Sequence, residues 1–180
     1  MPQIKNLKAR ITKAERGDCG GSNFSDHVME IASLITEGDN FIQFLIHKNN
    51  KVPSVLLYTK DTIELVRQCC CVGTNRQILG VDRTFNLGDV NVTVTCFKHP
   101  GLRRKVSMEE PVLFGPILLH GSCTHDIYGH LFSKFATTYS AEEITALTIG
   151  SDDELALRKA IREVCLEPTT FCVRVTLRTT

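Results

Sequence analysis

An α/β fold built on a mixed β-sheet is what this sequence predicts, and three observations carry the prediction. Residues 90–97 alternate cleanly, with Val90, Val92, Val94 and Cys96 on one side and Asn91, Thr93 and Thr95 on the other, the period-2 signature of a strand. The apolar run at 111–119 suits a strand buried on both faces. Helical stripes with i, i+3, i+4, i+7 spacing recur before and after these runs, as crossover connections between parallel strands require.

The elements follow in order. Residues 1–24 carry a basic cluster (Lys5, Lys8, Arg10, Lys13, Arg16) and then the break Gly17-Asp18-Cys19-Gly20-Gly21-Ser22, so a flexible basic segment is expected. Ser25 is suited to cap a helix to about residue 36, with Val28, Ile31, Ala32 and Ile35 on one face and Gly38 ending it. Runs at 41–47 and 52–58 flank Lys48-Asn49-Asn50-Lys51 and read as a hairpin. Thr59 then caps a helix over 60–70, with Ile63, Leu65 and Val66 as core contacts. Strand one is expected at 77–86, strand two at 90–97 and strand three at 111–119. A helix at 124–137 buries Tyr128, Leu131, Phe132 and Phe135. Residues 144–149 read as strand four, and a helix over 152–164 presents Leu157, Ala160, Ile161 and Val164. Residues 170–177, rich in β-branched side chains, read as a last strand.

Three units result: a basic segment at 1–24, a helix/hairpin/helix extension at 25–76, and a main α/β domain at 77–180. In the main domain the order βββαβαβ gives three locally connected strands followed by two crossovers, which are right-handed as a rule. That is the layout of an RNase H-like mixed sheet, in which the first strand is central and the fourth lies beside it.

Composition bounds the function. At 180 residues the chain can bury a sizeable core, and 42% hydrophobic with 23% charged residues is ordinary for a globular protein. No run reaches the about 18 apolar residues of a membrane span, so no membrane partner is expected. The N-terminus lacks an apolar core for a secretory signal, and a nuclear or cytoplasmic rather than secreted protein is expected. In that setting Asn23-Phe24-Ser25 and Asn91-Val92-Thr93 match the glycosylation pattern without a context for it. A net charge of +1 gives no global attraction to nucleic acid. Local clusters do: Lys5, Lys8 and Arg10 near the N-terminus, and Arg103, Arg104 and Lys105 in the loop after strand two, are the candidate phosphate contacts.

Eight cysteines are present, three of them consecutive at 69–71. They fit no disulfide framework or zinc knuckle and read as small buried hydrophobes. Cys123, His125 and His130 lack a second ligand pair at zinc spacing. His120 closes strand three and reads as a core hydrogen-bonding group.

Asp82 is the sharpest functional signal. It stands in the middle of strand one, where carboxylates are depleted and costly unless paired or metal-bound. Arg83 alternates to the other side of the strand and is not its partner. Ser151-Asp152-Asp153-Glu154 follows strand four with capping-box spacing at the start of the next helix. In the expected topology Asp82 and Asp152 converge at the carboxyl end of neighbouring parallel strands, where open α/β sheets place ligands. Two hard oxygen donors suit Mg²⁺ or Mn²⁺. A third carboxylate normally completes such a cage; Glu163, late in the helix, and Glu167, beyond it, are poorly placed.

Leu79-Gly80-Val81-Asp82-Arg83-Thr84-Phe85 and Ile149-Gly150-Ser151-Asp152-Asp153-Glu154-Leu155-Ala156-Leu157 resemble the first two blocks of MULE-type (Mutator-like) transposases. The strand Pro111-Val112-Leu113-Phe114-Gly115-Pro116 and Tyr128 fall between them as in that family. The resemblance covers about residues 77–172. It implies an RNase H-like DDE site with Asp82 and Asp152 as first and second acids, a Mg²⁺ or Mn²⁺ cofactor, and DNA cleavage and strand transfer in the nucleus. The chain departs from the pattern in three places. Asp153 stands where the family has Gly, Val175 stands where a His follows Cys172, and the family's third acid, which falls farther on, is missing from the sequence. Upstream zinc fingers are not evident. The expectation is therefore a C-terminally truncated, transposase-derived domain that is inactive alone, with DNA as its partner and room for a homo-oligomer. The alternatives are a non-enzymatic nucleic-acid or chromatin-binding domain and a non-functional transposon remnant.

Overall fold

The computed structural model describes residues 24–46, 52–87, 90–152 and 154–164. The chain runs α1 (Phe24–Thr36), β1 (Ile42–Ile46), β2 (Ser54–Leu57), α2 (Lys60–Val66) with a π-helical turn at Arg67–Cys71, β3 (Leu79–Leu87), β4 (Val90–Lys98), β5 (Val112–His120), α3 (His125–Thr138), α4 (Ala141–Ala146), β6 (Ile149–Ser151) and α5 (Leu155–Val164). The six described strands form one mixed sheet in the order β1-β2-β5-β4-β3-β6. Neighbours are antiparallel except β3 and β6, which are parallel. The N-terminal hairpin joins this sheet through β2, paired with β5. Among the described residues no helix is long and apolar enough to cross a membrane.

Alternation along the strands sorts side chains onto two faces. On one face Leu79, Val81, Phe97, Leu118 and Ile149 form the main core with α2, α3 and α5. Helix α3 buries Tyr128, Leu131, Phe132 and Phe135, each fully, and α5 buries Leu157, Ala160 and Ile161, the stripes their spacing predicts. The π-helical turn buries Cys69, Cys70 and Cys71 in the same core. Burial pushes the Cys70 and Cys71 thiols up to about 12, so they behave as the small hydrophobes expected. On the opposite face α1 packs Ile31, Leu34 and Ile35 against Ile42, Val55, Leu57, Ile117 and Leu119. Leu34, rather than the exposed Ala32, completes that stripe.

Helix α1 covers only the half of its face built by β1, β2 and the end of β5. The apolar run in β5 is therefore not enclosed throughout as its composition predicts. Val112 and Phe114 keep 47% and 51% of their surface exposed, because α1 packs only against the later residues of β5, Ile117 and Leu119.

Two further expectations are corrected. Residues 144–149 are not a strand: their first three residues end α4, and β6 begins only at Ile149. Ser140 caps α4 and forms a full capping box with Glu143, which holds the chain helical through Ala146. Nor do Ser151 and Glu154 form a capping box. Ser151 is paired with Val81 in the sheet, and α5 starts at Leu155, with the Arg158 amide donating to the Glu154 carbonyl at 3.0 Å. The strand expected at 170–177 lies outside the described residues.

Candidate functional site

The parallel pairing of β3 and β6 builds the site. Leu79, Gly80 and Val81 stand opposite Ile149, Gly150 and Ser151, so Asp82 and Asp152 are the next pair in register. Adjacent strands lie about 4.8 Å apart, and register partners share a face. Val81 points into the main core; Asp82 therefore points to the half-open face. The chemistry agrees. Burial raises the Asp82 carboxyl above its ordinary value, and the negative charge of Asp152 raises it further. Cys96, opposite Gly80 on β4, has its thiol raised by burial and then by the charge of Asp82.

Gly80 and Gly150 form the floor beside the acids. A β-carbon on Gly80 would sit 3.0 Å from the Cys96 sulfur, and one on Gly150 would sit 3.1 Å from Ile78 Cγ2. A side chain at either position would crowd its neighbour by a few tenths of an ångström, and with glycine at both the surface next to the carboxylates stays low. Asp82 is half-buried and Asp152 exposed, which leaves one side of the pair open to solvent.

A second polar group anchors the site from behind. Arg83 faces away from Asp82, as its place in the strand predicts. Its Nη1 donates to the Cys123 sulfur at 3.0 Å and its Nε stands 3.5 Å from Glu154 Oε2. The hydroxyl of buried Tyr128 donates to Glu154 Oε1 at 3.0 Å. Glu154 Oε2 accepts no hydrogen bond although buried, so the contact with Arg83 is coulombic. Two residues after Asp152, Glu154 is thus tied to β3 and α3, which fixes the end of β6 against the strand holding Asp82. Spacing alone marked Glu154 as a helix cap and Tyr128 as core; their joint role is visible only once α3, β3 and β6 meet.

His120 is a core group, as expected. It is fully buried and edge-on to Tyr128 at 5.3 Å. Its Nδ1 lies 2.9 Å from the Ser122 carbonyl and its Nε2 2.8 Å from Thr93 Oγ1. A carbonyl only accepts, so Nδ1 carries the proton and Nε2 accepts from Thr93. Burial lowers the His120 pKa and keeps the ring neutral.

The remaining candidates separate. Cys123 contacts Arg83, His125 contacts Asp126 and Glu163, and His130 lies against Phe44, so the three are not assembled. Glu163 also pairs with Lys159, on the helix side of the sheet. Among the described residues no group of three or more His, Cys, Asp or Glu is arranged around a metal position. In the loop between β4 and β5, Arg103 donates to the carbonyls of Pro100 and Leu102 and to Glu110, so its guanidinium serves the loop itself. Arg104 and Lys105 are exposed. Lys5, Lys8, Arg10 and Glu167 lie outside the described residues.

The donor set fits a hard divalent cation: two carboxylates on adjacent strands, Asp82 raised by burial and then by the charge of Asp152, with Asp152 exposed to water. Asp82 and Asp152 would hold it. Comparison with protein-family models, curated proteins and solved structures finds no match.

Proposed function

We propose that this chain is a transposase-derived domain of the Mutator-like kind on an RNase H-like sheet, with Asp82 and Asp152 as its two metal-binding acids and DNA as its partner. The single observation that carries the reading is the β3–β6 register, which sets Asp152 beside Asp82 on one face. The strand order β5-β4-β3-β6, three antiparallel strands and then a parallel one returning through a helix, supports the fold assignment. Mg²⁺ or Mn²⁺ bound there supplies charge for stabilising phosphodiester oxygens. The chain's own contribution is to hold the acids in register, to keep the floor low with Gly80 and Gly150, and to fix the end of β6 through Glu154.

Activity alone is not expected. Of the sequence candidates for a third acid, Glu163 lies on α5 beside Lys159 and His125, each 3.6 Å away. Calorimetric titration of Mn²⁺ tests the site: the wild-type chain binds and Asp82→Asn does not, and equal binding by both refutes it. Incubation with linear and supercoiled DNA in Mg²⁺ is expected to give no cleavage, and robust cutting lost in Asp82→Asn refutes the inactivity. A second reading, a non-enzymatic nucleic-acid or chromatin-binding domain, is favoured by Arg104 and Lys105, exposed on a defined loop.

A further inference from the structure

The half-face that carries the acids continues as a surface with its own chemistry. Cys96 on β4 stands opposite Phe114 on β5, and Lys98 opposite Val112. Phe97 and Leu113 pack in or against the main core, so Lys98, Val112 and Phe114 face the other way, on the side of Asp82. Phe114 and Val112 are half exposed, and Lys98 lies diagonally across from Phe114, within reach of a long side chain. Directly beyond Lys98 the 99–111 loop is closed by backbone bonds from His99 to the Pro111 carbonyl (3.1 Å), Arg104 to the Glu109 carbonyl (2.8 Å) and Met108 to the Arg104 carbonyl (2.9 Å). Met108 sits at a φ of 59° in that turn. With Arg103 bonded to its own loop, Arg104 and Lys105 are left as its outward cations. Among the described residues no ion pair engages Lys98, Arg104 or Lys105.

We infer that this surface is a track for an unpaired nucleic-acid strand, with Phe114 as the platform on which a base stacks and Lys98, Arg104 and Lys105 as the phosphate contacts. The inference rests on the DNA-partner reading above and adds to it the form of the nucleic acid and the residues that grip it. An aromatic on an open sheet face flanked by unpaired cations is the combination that binds single strands with little sequence preference. The track lies on the same face of the sheet as the acid pair. Asp82 is opposite Val94, and Lys98 lies four residues along β4, about 13 Å at the strand rise. Phe114 and Lys98 thus share the face of the acids, with the buried Val94 between. Leu102, Val106 and Met108 are exposed at the loop, and a bilayer is the competing partner for aliphatic side chains among cations. A bilayer would meet the loop tip and leave Phe114 unused on the sheet face, so the nucleic-acid reading accounts for more of the surface.

The test is fluorescence anisotropy with a labelled oligothymidylate of about 16 nucleotides, in EDTA so that the acids play no part. Phe114→Ala should weaken binding roughly 5- to 100-fold and Phe114→Tyr should retain it. The triple variant Lys98→Ala/Arg104→Ala/Lys105→Ala should lower the slope of log affinity against log salt by about 2 between about 50 and 200 mM. Because the sequence contains no tryptophan, Phe114→Trp provides a single tryptophan, excited selectively over the tyrosines and quenched when a base stacks on it. Wild-type affinity in Phe114→Ala, or an unquenched Trp in a saturated complex, overturns the inference while leaving the DNA partner standing. No oligonucleotide binding at low salt overturns both, and Mn²⁺ binding at Asp82 then still decides the acid site separately. Binding to phosphatidylserine vesicles that depends on Val106 and Met108, without oligonucleotide binding, overturns it in favour of a lipid surface.

Discussion

Replacing Asp82 with Asn should stabilise the metal-free protein at neutral pH and destabilise it relative to wild type once Mg²⁺ is present. The Asp82 carboxyl is raised by burial and then by Asp152, so folding disfavours its charged form. Between the unfolded value, near 3.9, and the raised folded value, the native state binds more protons than the unfolded chain. Stability is therefore highest below that window and falls as pH rises through it. Asn carries no charge, so the variant escapes this loss, and its advantage in EDTA should open as pH climbs from about 4 to neutrality. A cation reverses the order. With a two-carboxylate site binding on the order of 1 mM, about 10 mM Mg²⁺ adds roughly 1.4 kcal/mol to the wild type. For a domain of this size that is a rise in Tm of about 3–6 °C, absent in Asp82→Asn. Differential scanning fluorimetry across pH, with EDTA and with Mg²⁺, reads both effects. A variant less stable than wild type in EDTA at pH 7 would refute the strained carboxylate, and an equal Mg²⁺ response in both chains would refute the cation site.

Three other perturbations follow from contacts described above. Thr93→Val keeps the shape but removes the donor to the buried His120 Nε2, and chemical denaturation should show a loss of about 1–3 kcal/mol. Because burial lowers the His120 pKa, the unfolded chain binds the extra proton first; stability should fall as pH drops below about 6.5, and a His120→Gln variant should lose that part of the pH profile. Phe132→Ala empties a fully buried position in α3 and should cost about 3–5 kcal/mol by the same denaturation measurement.

Much of the sheet was legible because its code is local. Leu79 and Val81 alternating with Gly80 and Asp82, and Val92, Val94 and Cys96 alternating with Thr93 and Thr95, define strands without reference to anything distant. The parallel placement of β6 beside β3 agrees with the layout in which the fourth strand, reached through a helix, lies beside the first. What failed depended on competition between local signals. The run Ile144-Thr145-Ala146-Leu147-Thr148-Ile149 is β-branched enough to read as a strand, yet Ser140 and Glu143 had already committed its first half to a helix. The Ser151/Glu154 spacing was equally plausible, and lost because sheet pairing took Ser151 and Arg83 and Tyr128 took Glu154. Alternation in β4 did not say which side meets the main core. It is the threonine side: Thr93 and Thr95 are fully buried, satisfied by His120 and by the Pro116 carbonyl, partners more than twenty positions away. The adjacency of the strands carrying Asp82 and Asp152 was readable. The clamp behind it, made of single residues from three elements, carries no pattern a linear scan detects.

The cluster of sulfur atoms at the end of α2 has a practical corollary. Cys69, Cys70 and Cys71 are shut inside the core, and the last two hold their protons even in alkaline buffer, so a maleimide meets almost no nucleophile there while the turn is closed. Their consumption by such a reagent is then a clock for local opening, kept by the polypeptide itself and requiring no engineered label.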